Sequence, residues 1–418
     1  MPNEPNTTLV DKFLEQDRVV IDASMELTNG SFFQPTGFPD IGACVFVDKE
    51  GRRRCLVESE QSLTNRLEAV CMQAPGTWRA PFDGKLPVVH VSDVSGSLLA
   101  TNLTEPHRLS SSYVLEGTLD GDGNKEKNGN RLQDVLRAHL GVSEDGKRWP
   151  LDKRAELSRV VFALDPAAML HGFQFMQWSA VGLRQQRLLH ARMEAVLAGD
   201  SDVHYGMVKV DAIEPESSSQ KMGNKGQSIA HKARLVPESI NATFEIDVLG
   251  LRERWLVEKP EPPTDQDDDE KKKKREEAFA QNAAAQKFLL SLALWKIRQF
   301  LADQPSFDAR TGQVERSLRL RSDCALRYSG VAYRTQSNGA AFSDQQDLEI
   351  DTLVKIEDDV VRPLVEPPDF KPLLKAIAGQ EDLDIKVKYA PSAAPKATAS
   401  AATAAPEVQD DENEDGDE

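Results

Sequence analysis

Residues 18–27, RVVIDASMEL, alternate strictly, with Val19, Ile21, Ala23, Met25 and Leu27 on one side. A period of two over that length fits a strand with one buried and one wet face. Ile240, Ala242, Phe244, Ile246 and Val248 repeat the pattern far along the chain. Between that run and the C-terminus, AFAQNAAAQKFLLSLALWKIRQFLA at 278–302 is apolar almost all round at its centre. A helix of that kind has to be buried on every side. One-faced strands together with a fully buried helix and long polar insertions read as α+β. An RNA-recognition-type (ferredoxin-like) antiparallel sheet is one solution, which periodicity alone does not select.

Other segments fill in the order. ACVFVDKEGRRRCLVES reads as a hairpin around DKEG, and its second arm runs into LVESEQSLTNRLEAV at 56–70. There Leu63, Leu67, Val70 and Cys71 recur at helical spacing, which predicts a helix over about 59–72 with Ser59 as N-cap. LPVVHVSD and SRVVFALD read as strands, and GLRQQRLLHARMEAVLA at about 182–198 as a helix. Residues 204–248 read as a long hairpin around a Ser, Gly and Lys rich middle, 260–277 as a charged linker, and RSLRLRSDCALRYSG as a closing strand. The expected division is an N-terminal extension 1–17, a body 18–335, a C-terminal extension 336–390 and a disordered acidic tail 391–418.

The net charge of −17 is local. The tail EVQDDENEDGDE holds eight carboxylates, and EPPTDQDDDEKKKKREE at 261–277 has eight acids against five bases, so about −6 remains elsewhere. Basic patches therefore count. KRWPLDKRAELSR has five bases against two acids, residues 310–334 have six arginines against two acids, and the hairpin middle adds Lys221, Lys225, Lys232 and Arg234. Such stretches suit a polyanion. Cys44, Cys55, Cys71 and Cys324 lack metal-ligand spacing and read as reduced core thiols. FLLSLALW is too short to span a bilayer, so a cytoplasmic protein without a membrane anchor is expected.

Catalytic motifs are scarce. DGDGNK at 120–125 starts like a calcium loop, but Lys125 and Arg131 stand where glycine and glutamate are needed. The seven histidines are dispersed. EPHRLSSSY at 105–113, with His107, Arg108 and Ser110, is the best local candidate for general acid/base chemistry and a better one for binding phosphate. GxSxG, GxxxxGK[ST] and GxGxxG do not occur. No enzyme, metal or cofactor is expected.

Five blocks carry a resemblance. NGSFFQPTGFPDIG at 29–42, LVESEQSLTNRLEAV, HRLSSSY at 107–113, VVFALDPAAMLHG at 160–172 and LALWKIRQFL followed by LRLRSDCAL occur in this order. Together they resemble the RAMP backbone subunit of type I-U (I-G) CRISPR effector complexes, over roughly residues 18–330. The resemblance implies an RNA-recognition-like fold with a projecting thumb near 204–248, in copies that self-associate along crRNA in a Cascade-type complex. Implied partners are crRNA, target DNA, an end-capping and guide-processing RAMP subunit, a large target-recognising subunit and a helicase-nuclease. Implied guide contacts are Ser59, Gln61, Ser62, Asn65 and Arg66, with Gln34, His107, Arg108, Ser110, Arg319, Arg321, Lys221 and Lys225. Two departures are visible: Thr64 and Asn65 replace the family's Lys-Arg pair, and Phe32 stands where a base is expected. The alternative is a RAMP-type endoribonuclease using Asp40.

Overall fold

The structure, a computed structural model, describes residues 8–38, 42–74, 76–119, 131–153, 155–175, 178, 182–199, 210–212, 226–228, 234–264, 267–308, 312–320, 324–349, 366–380 and 382–390. Its main sheet has seven strands, β1 (Arg18–Leu27), β2 (Val45–Val47), β3 (Arg53–Glu58), β4 (Leu189–Leu197), β5 (Pro237–Asp247), β6 (Leu326–Gln336) and β7 (Gln346–Asp347). They lie in the order β7-β6-β1-β5-β4-β3-β2, antiparallel throughout. Ile21 stands opposite Phe244 on one side and Tyr333 on the other, and Phe244 opposite Ala191, so the alternating residues form one apolar stripe across four strands.

That stripe is covered by helices. The helices include α1 (Leu9–Leu14), α2 (Glu60–Ala69), α3 (Glu156–Leu164), α4 (Ala168–His171), α5 (Asp269–Leu301) and α6 (Lys371–Ala378), of which α3 and α6 lie in a layer beyond α5. Phe300 of α5 meets Phe244 of the sheet with ring centroids 5.9 Å apart. On its other side α5 meets an outer layer, with Phe288 6.3 Å from Phe162 and 6.1 Å from Phe370, and Trp295 4.7 Å from Phe82. In that layer Val88–Ser92 pairs antiparallel with Leu98–Thr101 and parallel with Asp384–Lys388. The helix is apolar all round because it lies between two layers. Among the described residues no helix is long and apolar enough to cross a membrane.

Several expectations are corrected. The segment read as a helix over 182–198 is β4: Leu189, Ala191, Met193, Ala195 and Leu197 are buried and the residues between them are not. Arg, Met, Glu and Ala favour helices, but a buried stripe of period two outweighs propensity. Conversely SRVVFALD, read as a strand, lies in α3, where Val160, Val161, Phe162, Ala163 and Leu164 are all buried. A fully buried apolar run of that length has no diagnostic period. The charged linker becomes helical at Asp269, capped by Asp268, whose side chain accepts from the Lys271 amide at 2.8 Å. The second arm of the long hairpin is β5 of the main sheet, preceded by a short antiparallel pair, Val210–Ala212 with Gly226–Ser228. The closing strand starts only at Leu326, and Cys44 is exposed while the other three cysteines are buried. The calcium-like turn at 120–125 and the tail 391–418 lie outside the described residues.

The buried C-terminal half of α5 also carries a fully buried ionisable side chain. Lys296 is fully buried, with Nζ 2.6 Å from Nε2 of His171 in α4. Burial pulls the lysine below its ordinary value. The histidine is pushed well below its own by burial, then by the positive charges of Lys296 and Arg108. The unfolded chain takes up a proton near pH 6.5 and the folded chain does not, so this site's stability is present above that pH and lost as pH falls. Urea unfolding from pH 7 to 5 should show a loss of up to about 1.4 kcal/mol per pH unit below 6.5 that the double variant His171→Phe/Lys296→Met lacks. The same slope in both proteins would rule the pair out as its origin.

Candidate nucleic-acid interface

β3 ends at Glu58, and Ser59, in extended backbone, starts α2 by accepting a hydrogen bond from the Ser62 amide at 3.2 Å. Leu63, Leu67, Val70 and Cys71 are buried, as the spacing predicts. The polar side of the helix is largely self-occupied. The Ser62 hydroxyl donates to the buried Glu58 carboxylate. Arg66 donates to Glu58 at 2.8 Å, and its other amino group to the carbonyls of Ser317 at 2.9 Å and Arg319 at 3.2 Å. The Gln61 amide donates to Asn65 at 3.0 Å. Arg66 thus pins the segment 317–319 onto α2.

Two neighbouring segments meet there. Phe33 bridges Leu235, the Thr36 amide donates to the Val57 carbonyl at 2.9 Å, and the Cys324 thiol donates to the Phe32 carbonyl at 2.9 Å. Residues 29–36, the start of α2 and residues 317–320 and 324–325 therefore form one rim at an end of the main sheet. Ser59, Gln61, Ser62, Asn65, Arg66, Gln34 and Arg319 are brought together on it. Gln61 and Arg319 are exposed, and Gln34 and Asn65 half-buried. The Arg234 guanidinium lies 5.4 Å from the Phe32 ring centroid, so a cation stands beside the position where the sequence lacks one.

The 107–113 loop is built differently. Arg108, at φ 52°, is buried and forks onto Asp165, with Nε 2.8 Å and Nη2 2.5 Å from its two oxygens and Glu68 of α2 at 3.9 Å. Asp165, wholly buried, also accepts from Asn102 at 3.0 Å and from the Ala168 amide at 3.2 Å. Burial by itself would lower the arginine, but the Asp165 and Glu68 carboxylates hold it above its ordinary range. Ser110 is buried and His107 exposed. Arg108 and Ser110 face the interior and join the outer layer to α2; they do not reach the rim. Arg321, Lys221, Lys225 and Asp40 lie outside the described residues.

A further feature went unread in the sequence. A cleft of about 380 Å³ crosses the outward face of the main sheet, lined by Arg18, His190, Arg192, Thr243, Arg334 and Glu60, among others. Its arginines are paired, Arg18 with Glu245, Arg192 with Glu194 at 3.0 Å and Arg334 with Asp22 at 3.5 Å. The signal was the outward register of alternating strands, hidden at Arg192 by the helical reading of β4.

Truncating Asp165 tests the buried fork. Asp165→Ala leaves Arg108 charged, buried and unpaired, and should cost about 3–5 kcal/mol in urea unfolding. A loss below about 1 kcal/mol would mean that the guanidinium reaches water instead.

Residues 19–199 match the family model of CRISPR-associated protein GSU0053, a span that contains β1 to β4, α2 and the 107–113 loop. No curated protein matches the chain. Among solved structures, the crystal structure of Thermofilum pendens Csc2 is 8% identical with a TM-score of 0.28, over 90% of this chain and 91% of that one. A chain of a structure described as "CRISPR RNA-guided surveillance complex, pre-nicking" is 11% identical with a TM-score of 0.28, over 90% of this chain and 96% of that one. Likenesses at such scores carry no argument about function. Over residues 19–199, less than half of its length, the chain is similar to the family of CRISPR-associated protein GSU0053, and the resemblance carried by the ordered sequence blocks agrees with that match.

Proposed function

We propose that the protein is a non-enzymatic backbone subunit that binds guide RNA and lines up in copies along it within a type I-U (I-G) interference complex, for recognition of invading DNA. The observation that carries this reading is the rim. Within the span similar to the CRISPR-associated family, a capped helix start places the exposed Gln61 amide beside the half-buried Asn65, Ser59 and Ser62, with the exposed Arg319 close by. A subunit that accepts any guide has to hold phosphates and 2′-hydroxyls and leave the bases free to pair.

Two further features support it. With the β2–β3 hairpin, β7 and the insertions set aside, the chain runs β1, α2, β4, β5, α5, β6, and the strands stand in the order β6-β1-β5-β4. This βαββαβ path is that of ferredoxin-like and RNA-recognition folds. The outward positions of β1, β4 and β5 hold no Phe, Tyr or Trp; the one aromatic ring lining the cleft there among the described residues, Phe342, faces the Arg334 guanidinium at 5.3 Å. The implied partners remain those of such a complex: an end-capping guide-processing subunit, a large target-recognising subunit and a helicase-nuclease.

Co-expression with a repeat-spacer array and the candidate partners, purification through a tag on this chain and sequencing of the bound RNA is the deciding experiment. Uniform spacer-containing guides are expected. Protein free of RNA would refute the proposal, and metal-dependent cleavage of the RNA lost in Asp40→Asn would favour the endoribonuclease instead. In the purified protein, Arg319→Ala should reduce the slope of log affinity against log salt by about 0.7. An unchanged slope would remove Arg319 from the contact.

A further inference from the structure

Twelve large apolar side chains are exposed among the described residues, and six of them lie on two segments. Val45, Phe46 and Val47 form β2, the last strand of the main sheet, and are 38%, 39% and 67% exposed. Leu98 and Leu99 start the last strand of the outer three-stranded sheet, with Val94 in the turn before it; they are 53%, 47% and 67% exposed. Each segment is paired on one side only among the described residues. An apolar edge strand leaves a row of backbone donors and acceptors open to another strand, and folded proteins ordinarily blunt such edges with charge or proline. Neither strand carries a charged residue or a proline.

The surroundings of the two edges differ in sign. Residues 45–54 carry Lys49, Arg52, Arg53 and Arg54 against Asp48 and Glu50, a net of +2. Residues 91–101 carry Asp93 and no lysine or arginine, a net of −1. The DKEG turn is rigid: Asp48 accepts from the Arg52 amide at 2.9 Å, the Arg52 guanidinium at 3.0 Å and the Arg54 guanidinium at 2.6 Å. Asp93 likewise ties its own turn by accepting from the Ser95 and Ser97 amides at 2.8 and 2.9 Å. Both edges are thus held in shape before any partner arrives.

We infer that β2 of one copy docks on the exposed start of the Leu98–Thr101 edge of the next, at Leu98 and Leu99, strand against strand, with apolar side chains meeting and the two hairpins matched in charge. Because the paired surfaces differ, the contact is head-to-tail and repeats from copy to copy. This deepens the proposed function by naming the surface of self-association, and it rests on that reading for its biological sense alone.

The test uses the full chain, analysed by sedimentation over a range of concentrations, alone and with a single-stranded RNA long enough for several copies. The wild type should form assemblies that grow with concentration. Val47→Lys and Leu98→Lys, both at exposed positions, should each keep the wild-type melting temperature and weaken self-association by about tenfold or more. Mixed in equal amounts, the two variants should form 1:1 dimers that grow no further, since each retains the edge the other lacks. A like-to-like contact gives the opposite result, in which one variant still dimerises alone and the mixture contains no heterodimer; that would overturn the inference. So would a wild type that stays monomeric with and without RNA. If the mixed dimer forms but the protein binds no RNA, the self-contact stands and the proposed function falls. If RNA is bound by copies that never associate, the reverse holds.

Discussion

Everything in this chain is arranged around one buried helix. Phe288, Leu289, Leu292, Trp295, Ile297 and Phe300 of α5 leave no face of its C-terminal half for water, so the sheet and the outer layer both close on it. Burying one such side chain stabilises by about 1.5–3 kcal/mol, so exposing a side of α5 would cost several such increments. That is why residues 366–390, far along the chain, return to the outer layer. Phe370 packs on both Phe162 and Phe288, and Asp384–Lys388 completes the small sheet. The polar N-terminal half of α5 needs no such cover and is spanned by pairs such as Glu270 and Lys274, 2.7 Å apart.

The same packing decides which polar residues are left for a ligand. α2 is held from two sides, by Arg66 with Glu58 and the 317–319 carbonyls, and by Glu68 beside the Arg108–Asp165 fork. A buried pair of that kind is poor evidence of net stabilisation but strong evidence of fixed geometry, because losing either partner is expensive. The cost is that two arginines near the candidate site are engaged inside the fold. What remains on the rim among the described residues is amide and hydroxyl groups beside Arg319 and Arg234, a surface that, on the proposed function, would read shape and 2′-hydroxyls more than charge.

How far the sequence could be read follows from this layering. The pattern of β1 and of β5 was legible because each strand has one wet face, and α2 because its apolar residues fall on one stripe. α3 was not, since its apolar run Val160–Leu164 is buried throughout and shows no period that separates helix from strand. β4 was misread although its period is visible, because Arg192, Met193, Glu194 and Ala195 are residues that an isolated helix would favour. In the site, residue types were legible and their partners were not. Arg66 and Arg108 look alike as guanidiniums near serines, and only the fold sets Glu58 against one and Asp165 against the other.

On the proposed function, the engaged arginines also bear on how a grip of low charge would hold a guide. A contact that uses few cations releases few counterions on binding, so under that proposal each copy alone should hold RNA weakly and with a shallow dependence on salt. Weak single contacts become a tight array when neighbours also touch, because the second contact is intramolecular and gains from effective concentration. In such an arrangement the body's charge can stay mildly acidic: affinity comes from repetition, and a stray RNA too short for several copies is released. Under the proposed function, a rim of amides and hydroxyls and apolar strand edges on the same chain would be two halves of one physical solution.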